Sequence, residues 1–143
     1  MYGMLDISTS GMIAQRTRLE VIQANIANQD TIRDATGKIN PYRRRIATLA
    51  PGDPGSMGES SRSFGVHVQE IMFDPSPARP GRYAPGHPDA WTEGPYAGYI
   101  ARTNIDPVTE QINALEAQRA YEANVAAAEA TKQMIGAALR LIA

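Results

Sequence analysis

The stretch from Asp106 to Ile142 constrains the fold of this chain more than any other. It holds no glycine before Gly136 and no proline after Pro107, and Ala, Glu, Gln, Leu, Arg and Met dominate it. These residues are strong helix formers. Asp106 suits an N-cap, and Pro107 suits the first helical position, where a missing N–H costs nothing. One helix of this length runs roughly 55 Å at ~1.5 Å per residue. The chain has 143 residues, enough for one domain with a modest core. Such a helix is longer than that domain is wide, so something beyond the chain must help to cover it.

Three stripes can be traced on this helix. Val108, Ile112 and Leu115 mark one face near its start. Tyr121, Val125, Ala128, Ile135, Leu139 and Ile142 mark a second, about a third of a turn away at ~100° per residue, with Lys132 in its remaining position. Beside the second runs a ridge of mostly small residues, Ala120, Ala123, Ala127, Ala130, Met134 and Ala137. Helix propensity alone accounts for alanines; a closely approaching neighbour accounts for them equally well. The apolar arc is nevertheless wider than one partner needs, which calls for several neighbours, some of them in other subunits. Glu110, Glu116, Glu122 and Glu129 precede Arg140. That order suits the helix dipole and reads as a solvated or inter-subunit face rather than a catalytic array.

A second long helix is expected over residues 4 to about 28. Met1, Leu5, Ser8, Met12, Gln15, Leu19, Ile22 and Ile26 follow alternating steps of four and three, a heptad-like seam. Ser8 and Gln15 either face solvent at a loose end or set register against a partner helix. Gly11 weakens the helix by roughly 1 kcal/mol relative to Ala. Between the helices the composition changes. Residues 28–41 read as a loop, Tyr42 to Leu49 as a strand, and residues 50–63 as a mobile linker. Gly65 to Phe73 alternates Val66, Val68 and then Ile71, Phe73, so its phase switches at Gln69–Glu70, as a bulged strand does. Residues 74–95 carry six prolines and are expected to cross with little regular structure; Tyr96 to Arg102 is a short strand candidate. The expected fold is mainly α with a small β-rich middle. The N-terminal helix (1–30) and C-terminal helix (106–143) pair as an antiparallel α-hairpin or coiled coil around an extended region (31–105).

A net charge of −1 argues against a nucleic-acid or anionic-membrane surface, and the basic cluster Arg43–Arg45 is too short to change that. The chain has no cysteine, so disulfides and thiolate metal sites are excluded. No stretch approaches the ~18 consecutive apolar residues of a membrane span, and the first residues do not read as a secretory signal. No phosphate-binding glycine loop, nucleophile elbow or paired-histidine zinc motif occurs. His67 and His87, with Asp74 and Asp89, match no metal-ligand spacing, and His87 reads as a turn residue or as packing on Tyr83. Trp91 either anchors the middle onto the core or meets a ligand. No catalytic residue, cofactor, metal or small-molecule substrate is expected.

The chain resembles the flagellar basal-body rod proteins, within the wider family of rod and hook axial proteins. The first helix ends in a segment similar to that family's "NxAN…T" signature, carried by Asn25, Ala27, Asn28 and Thr31. The segment Asn40–Pro41–Tyr42–Arg43–Arg44, the Gly65–Val66–His67–Val68 strand and the loop Tyr83–Ala84–Pro85–Gly86–His87–Pro88–Asp89–Ala90 resemble motifs of its proximal-rod type. Ala117–Gln118–Arg119–Ala120–Tyr121–Glu122–Ala123–Asn124 is similar to "AxRxYxAN". Thr103 stands where such proteins often have proline. The resemblance implies a structural subunit of the periplasmic rod, partnered by copies of itself and by other rod proteins. It also implies delivery by the flagellar type III export apparatus without a cleaved signal. Another axial subunit, or a cytoplasmic coiled-coil adaptor, is the alternative. Leu5, Met12, Leu19, Ile22 and Ile26 are expected to pack on the stripe through Tyr121, Val125, Ile135 and Leu139. Leu115 and Ala127 would meet neighbours. Asn28 is expected to end its helix in a left-handed turn, and Asn25 and Asn124 either bond between the helices or to a neighbour's backbone, or serve as capping or surface amides.

Overall fold

A computed structural model describes residues 2–52, 54, 55 and 64–142. The expectation for the linker over residues 50–63 lies largely outside these residues, and that for Met1 in the first seam lies wholly outside them. Two long helices bracket four short strands: α1 (Tyr2–Ala27), β1 (Arg45–Pro51), β2 (Val66–Phe73), β3 (Arg79–Tyr83), β4 (Tyr99–Arg102) and α2 (Pro107–Ile142). The α-rich fold with a β middle is as expected.

The start of α2 follows its sequence closely. Asp106 caps it, accepting from the Val108 N–H at 3.1 Å and the Thr109 hydroxyl at 2.9 Å. Thirty-six residues make a rod of about 54 Å. α1 lies antiparallel against it. Gly11 faces Asn124, Arg18 faces Glu116 and Asn25 faces Glu110. Carrying that register back to Tyr2 leaves roughly nine residues of α2, or ~13 Å, beyond the end of α1.

Gly11, Ala14, Val21, Ile22 and Asn25 of α1 are buried, and Gly11 and Asn25 face α2 directly. On α2, Glu110, Ala117 and Thr131 are buried. Leu5, Met12, Leu19 and Ile26 are half-buried and flank the buried residues of α1. The contact is thus turned by about one residue from the expected seam, because small side chains occupy the tightest point and larger ones fill in beside it. Ser8 does not face solvent: it is 7% exposed. Its hydroxyl bonds to Met4 O, and that of Ser10 bonds to Ile7 O, which satisfies both inside the helix. A Cβ on Gly11 would fall 2.7 Å from Asn124 Oδ1, so the glycine that weakens α1 also permits the approach.

β1 and β2 pair antiparallel, and the register skips between Thr48 and Leu49, leaving Gln69 as the extra residue. The bulge sits where the sequence phase switches. β1 starts later than expected, at Arg45 rather than Tyr42. β3 corrects the expectation of little regular structure in residues 74–95. It pairs antiparallel with β4 despite Pro80, which an edge strand tolerates because one row of N–H groups needs no partner. Gly81 is required there, since its Cβ would lie 3.0 Å from Ile100 O. Residues 95–97 turn before β4 instead of extending it, and Gly98, at φ +85°, fits beneath the Tyr83 ring.

Candidate functional site

At the base of the hairpin, five segments converge on a buried polar junction. Asn25, at the end of α1, is fully buried. Its Nδ2 donates to Arg45 O and to Glu110 Oε2, both at 2.8 Å, and its Oδ1 accepts the Arg45 N–H at 2.9 Å. Glu110, in the first turn of α2, is 1% exposed. Its other oxygen accepts from Arg44 Nε at 2.7 Å. Arg44 also reaches Asp74 Oδ2 at 3.3 Å, and its backbone N–H donates to Asn104 Oδ1 at 2.8 Å. The Asn104 amide closes the circuit on Ser76 O at 3.0 Å. Burial works to lower the Arg44 pKa, but the hydrogen bond and charge of Glu110, then those of Asp74, more than offset it and hold the guanidinium above its ordinary value.

This arrangement fixes how α1 and α2 meet the β-hairpin. Glu110 therefore does not belong with Glu116, Glu122 and Glu129, which are exposed. Of the expected amide roles, Asn25 bridges the helices. Asn124 bonds within α2, to Ala120 O at 2.8 Å. Asn28 does not enter a left-handed turn: among the described residues no non-glycine has positive φ. Its Nδ2 donates to Ala24 O at 2.8 Å and its Oδ1 accepts from the Thr31 hydroxyl, so side-chain bonding ends the helix. Thr103 donates to Gln29 O at 2.6 Å, a bond proline could not make. Among the other motif residues, Arg45 lies over the Tyr42 and Phe73 rings at 5.6 and 5.5 Å, while Pro41 is half-buried and Arg43 exposed.

The Gly86–His87–Pro88 loop is a built turn. His87 N–H donates to Ala84 O, and His87 Nδ1 accepts from the Asp89 N–H. Arg33 clamps the loop through Asp89 at 2.7 Å and Pro88 O at 2.6 Å. His67 Nδ1 lies 2.7 Å from Gly52 O, and Trp91 packs on Tyr96 at 5.6 Å. Each of these side chains is thus engaged in local structure.

Among the described residues, three carboxylates are held below the ordinary range: Asp74 chiefly by Ser76 and then Arg44, Asp106 by Thr109 and the Val108 N–H, and Asp34 by Thr36. A depressed carboxyl contributes stability that is present above its unfolded value, ~3.9, and is lost as pH falls through the folded value. The urea midpoint should therefore stay level from pH 7 to about 5 and drop below about 4, with Asp74→Asn flattening part of the fall. A midpoint at about pH 3 equal to that at pH 7 would reject this assignment.

The hairpin leaves several large apolar residues bare. Val108, Ile112 and Leu115 are exposed, as are Met134, Leu139 (63%) and Leu141 (88%). Arg119, Tyr121, Ala123, Ala127 and Ala130 are exposed too, while Val125 and Ile135 are half-buried. Among the described residues, no helix is long and apolar enough to cross a membrane.

Comparison with known proteins bears on the same elements. A family described as "Flagella basal body rod protein" matches residues 5–33, within which lies most of α1. One described as "Flagellar basal body rod FlgEFG protein C-terminal" matches residues 96–141, covering β4 and most of α2. The flagellar basal-body rod protein FlgC of Bacillus subtilis is 37% identical over 96% of this chain and 95% of its own length. That of Borreliella burgdorferi is 34% identical over 99% and 97%. The Salmonella typhimurium protein of the same name is 31% identical over 91% and 89%.

Proposed function

This chain belongs to the FlgC family of flagellar basal-body rod proteins and is a structural subunit of that rod; from that premise we propose how it is built in. α1 and α2 form part of an inner tube around an export channel, in the proximal segment of the rod within the periplasm. The β-rich middle lies outside and contacts adjacent subunits. The flagellar type III export apparatus delivers the chain without a cleaved signal. Its partners are copies of itself and other rod proteins, and it carries no enzymatic activity. The alternatives, another axial subunit or a coiled-coil adaptor, are not favoured, because the relatives are FlgC proteins over nearly their full length.

One observation supports this reading most directly: α2 is a 36-residue helix whose apolar residues reach well past the surface that α1 covers. Burying apolar surface yields roughly 25 cal/mol per Å², so many modest inter-helix contacts around a tube hold together and share torque. The alanine face (Ala123, Ala127, Ala130) is open to a neighbouring helix, and Leu115 lies where a second neighbour would pack.

The test is to purify basal bodies. The chain is expected in them and not in the soluble fraction. Ala127→Leu should be exported yet missing from the rod, because inserting a large side chain in a tight contact costs about 1–3 kcal/mol per site, repeated at every copy. Finding the wild-type chain only in the soluble fraction would overturn the reading, and normal rods with Ala127→Leu would overturn the alanine contact.

A further inference from the structure

Glu110 is the one carboxylate among the described ion pairs with a side chain less than a tenth exposed. Its partners come from separate parts of the chain. Asn25 belongs to the helical hairpin itself, and an amide offers hydrogen bonds but no opposing charge. Arg44 supplies the charge, and it belongs to the β-rich middle, 66 residues away in sequence. Arg44 is held there on three sides. Its N–H bonds to Asn104, its C=O accepts the Asp74 N–H at 2.9 Å, and its guanidinium reaches the Asp74 carboxylate.

Closing α1 over Glu110 without Arg44 would bury an unpaired charge. We propose that the Glu110–Arg44 pair gates folding: the base of the α1–α2 hairpin closes only when the Arg44–Arg45 segment and its Asp74 partner have docked. A chain whose middle is undocked keeps its long helices apart at that end. The mechanism rests on an asymmetry of buried ion pairs. Removing one partner is strongly destabilising, whereas replacing both by apolar residues of similar volume is close to neutral or better. Pure packing glue would show no such asymmetry.

Hydrogen exchange on the purified full-length chain reads this directly, at amides of Val21–Ala24 on α1 and Asn113–Ala117 on α2. Arg44→Met alone should lower protection there by about 100-fold or more, the fold-change expected when one member of a buried pair is lost. Adding Glu110→Leu to Arg44→Met should restore protection to within about tenfold of wild type, because the charge that needed the gate is gone. If Arg44→Met proves too unstable to purify, the double variant still decides. Protection retained in the single variant, or not regained in the double, overturns the proposal. The readout is on the chain itself, so its failure would leave the rod assignment standing.

Discussion

Asn25→Asp is expected to open the base of the helical hairpin. The wild-type amide donates twice, to Arg45 O and Glu110 Oε2, and accepts once, from the Arg45 N–H. A carboxylate of the same shape keeps the acceptor and loses both donors. It also puts negative charge within about hydrogen-bond distance of the Glu110 carboxylate and of a carbonyl oxygen. Each buried acceptor left without its donor costs about 1–3 kcal/mol, before the like-charge repulsion is counted. The sum, about 4 kcal/mol or more, is a large share of the 5–15 kcal/mol typical of whole domains. The pH dependence carries its own signature. Burial beside Glu110 raises the new carboxyl above its unfolded value, so the destabilisation is greatest at neutral pH. It shrinks as pH falls and the group takes up a proton. Urea midpoints of wild type and variant should therefore lie far apart at pH 7 and converge toward pH 5. A gap independent of pH would mean that shape, not charge, governs the site.

A sequence is most legible where one residue type has one physical meaning. Asp106 and Pro107 mark the start of α2 because a cap and a φ-restricted first position are local requirements, and the structure places them so. The phase switch at Gln69 marks the bulge for the same reason. Contacts between distant segments were harder to see. The expected seam followed the large apolar residues Leu5, Met12 and Leu19, but the tightest helix contact selects small ones, and hydropathy does not register Gly11 or Ala14 as contact residues. Glu110 looked like its neighbours Glu116 and Glu122 because nothing within a turn of it announces Arg44. In hindsight a signal exists: Glu110, Ala117, Asn124 and Thr131 recur every seven residues opposite Gly11, Arg18 and Asn25. Two small or polar heptad series on facing helices mark a close seam with polar pins. β3 is hard to read in the sequence because Pro80 and Gly81 both argue against a strand; its edge position admits the proline, and the close approach of Ile100 O requires the glycine.

Gly11→Leu should disable assembly while leaving most secondary structure intact. A Cβ at this position meets three Asn124 side-chain atoms at 2.7–2.9 Å, and the Asn124 amide is tied to Ala120 O. Alanine is the mild case. It gains up to about 1 kcal/mol of helix propensity, and Asn124 must swing aside to admit it, so the two effects nearly cancel. Leucine cannot be admitted without separating the helices, at about 1–3 kcal/mol within one chain. The larger consequence lies outside the chain. Pushing α2 away from α1 reorients Ile112, Leu115 and the alanine face in every subunit at once, so many inter-subunit contacts weaken together. Swimming in soft agar should fall to background, with rods absent from electron micrographs of purified basal bodies. Asn124→Ala should be tolerated alone and should turn Gly11→Ala from nearly neutral to stabilising, because it removes the atoms in the way. A double-mutant cycle tests that pairing, with a coupling of roughly 0.5–3 kcal/mol expected for residues in contact. Additive effects of the two substitutions, or normal rods with Gly11→Leu, would show that the helix crossing at Gly11 does not set the geometry of the assembly.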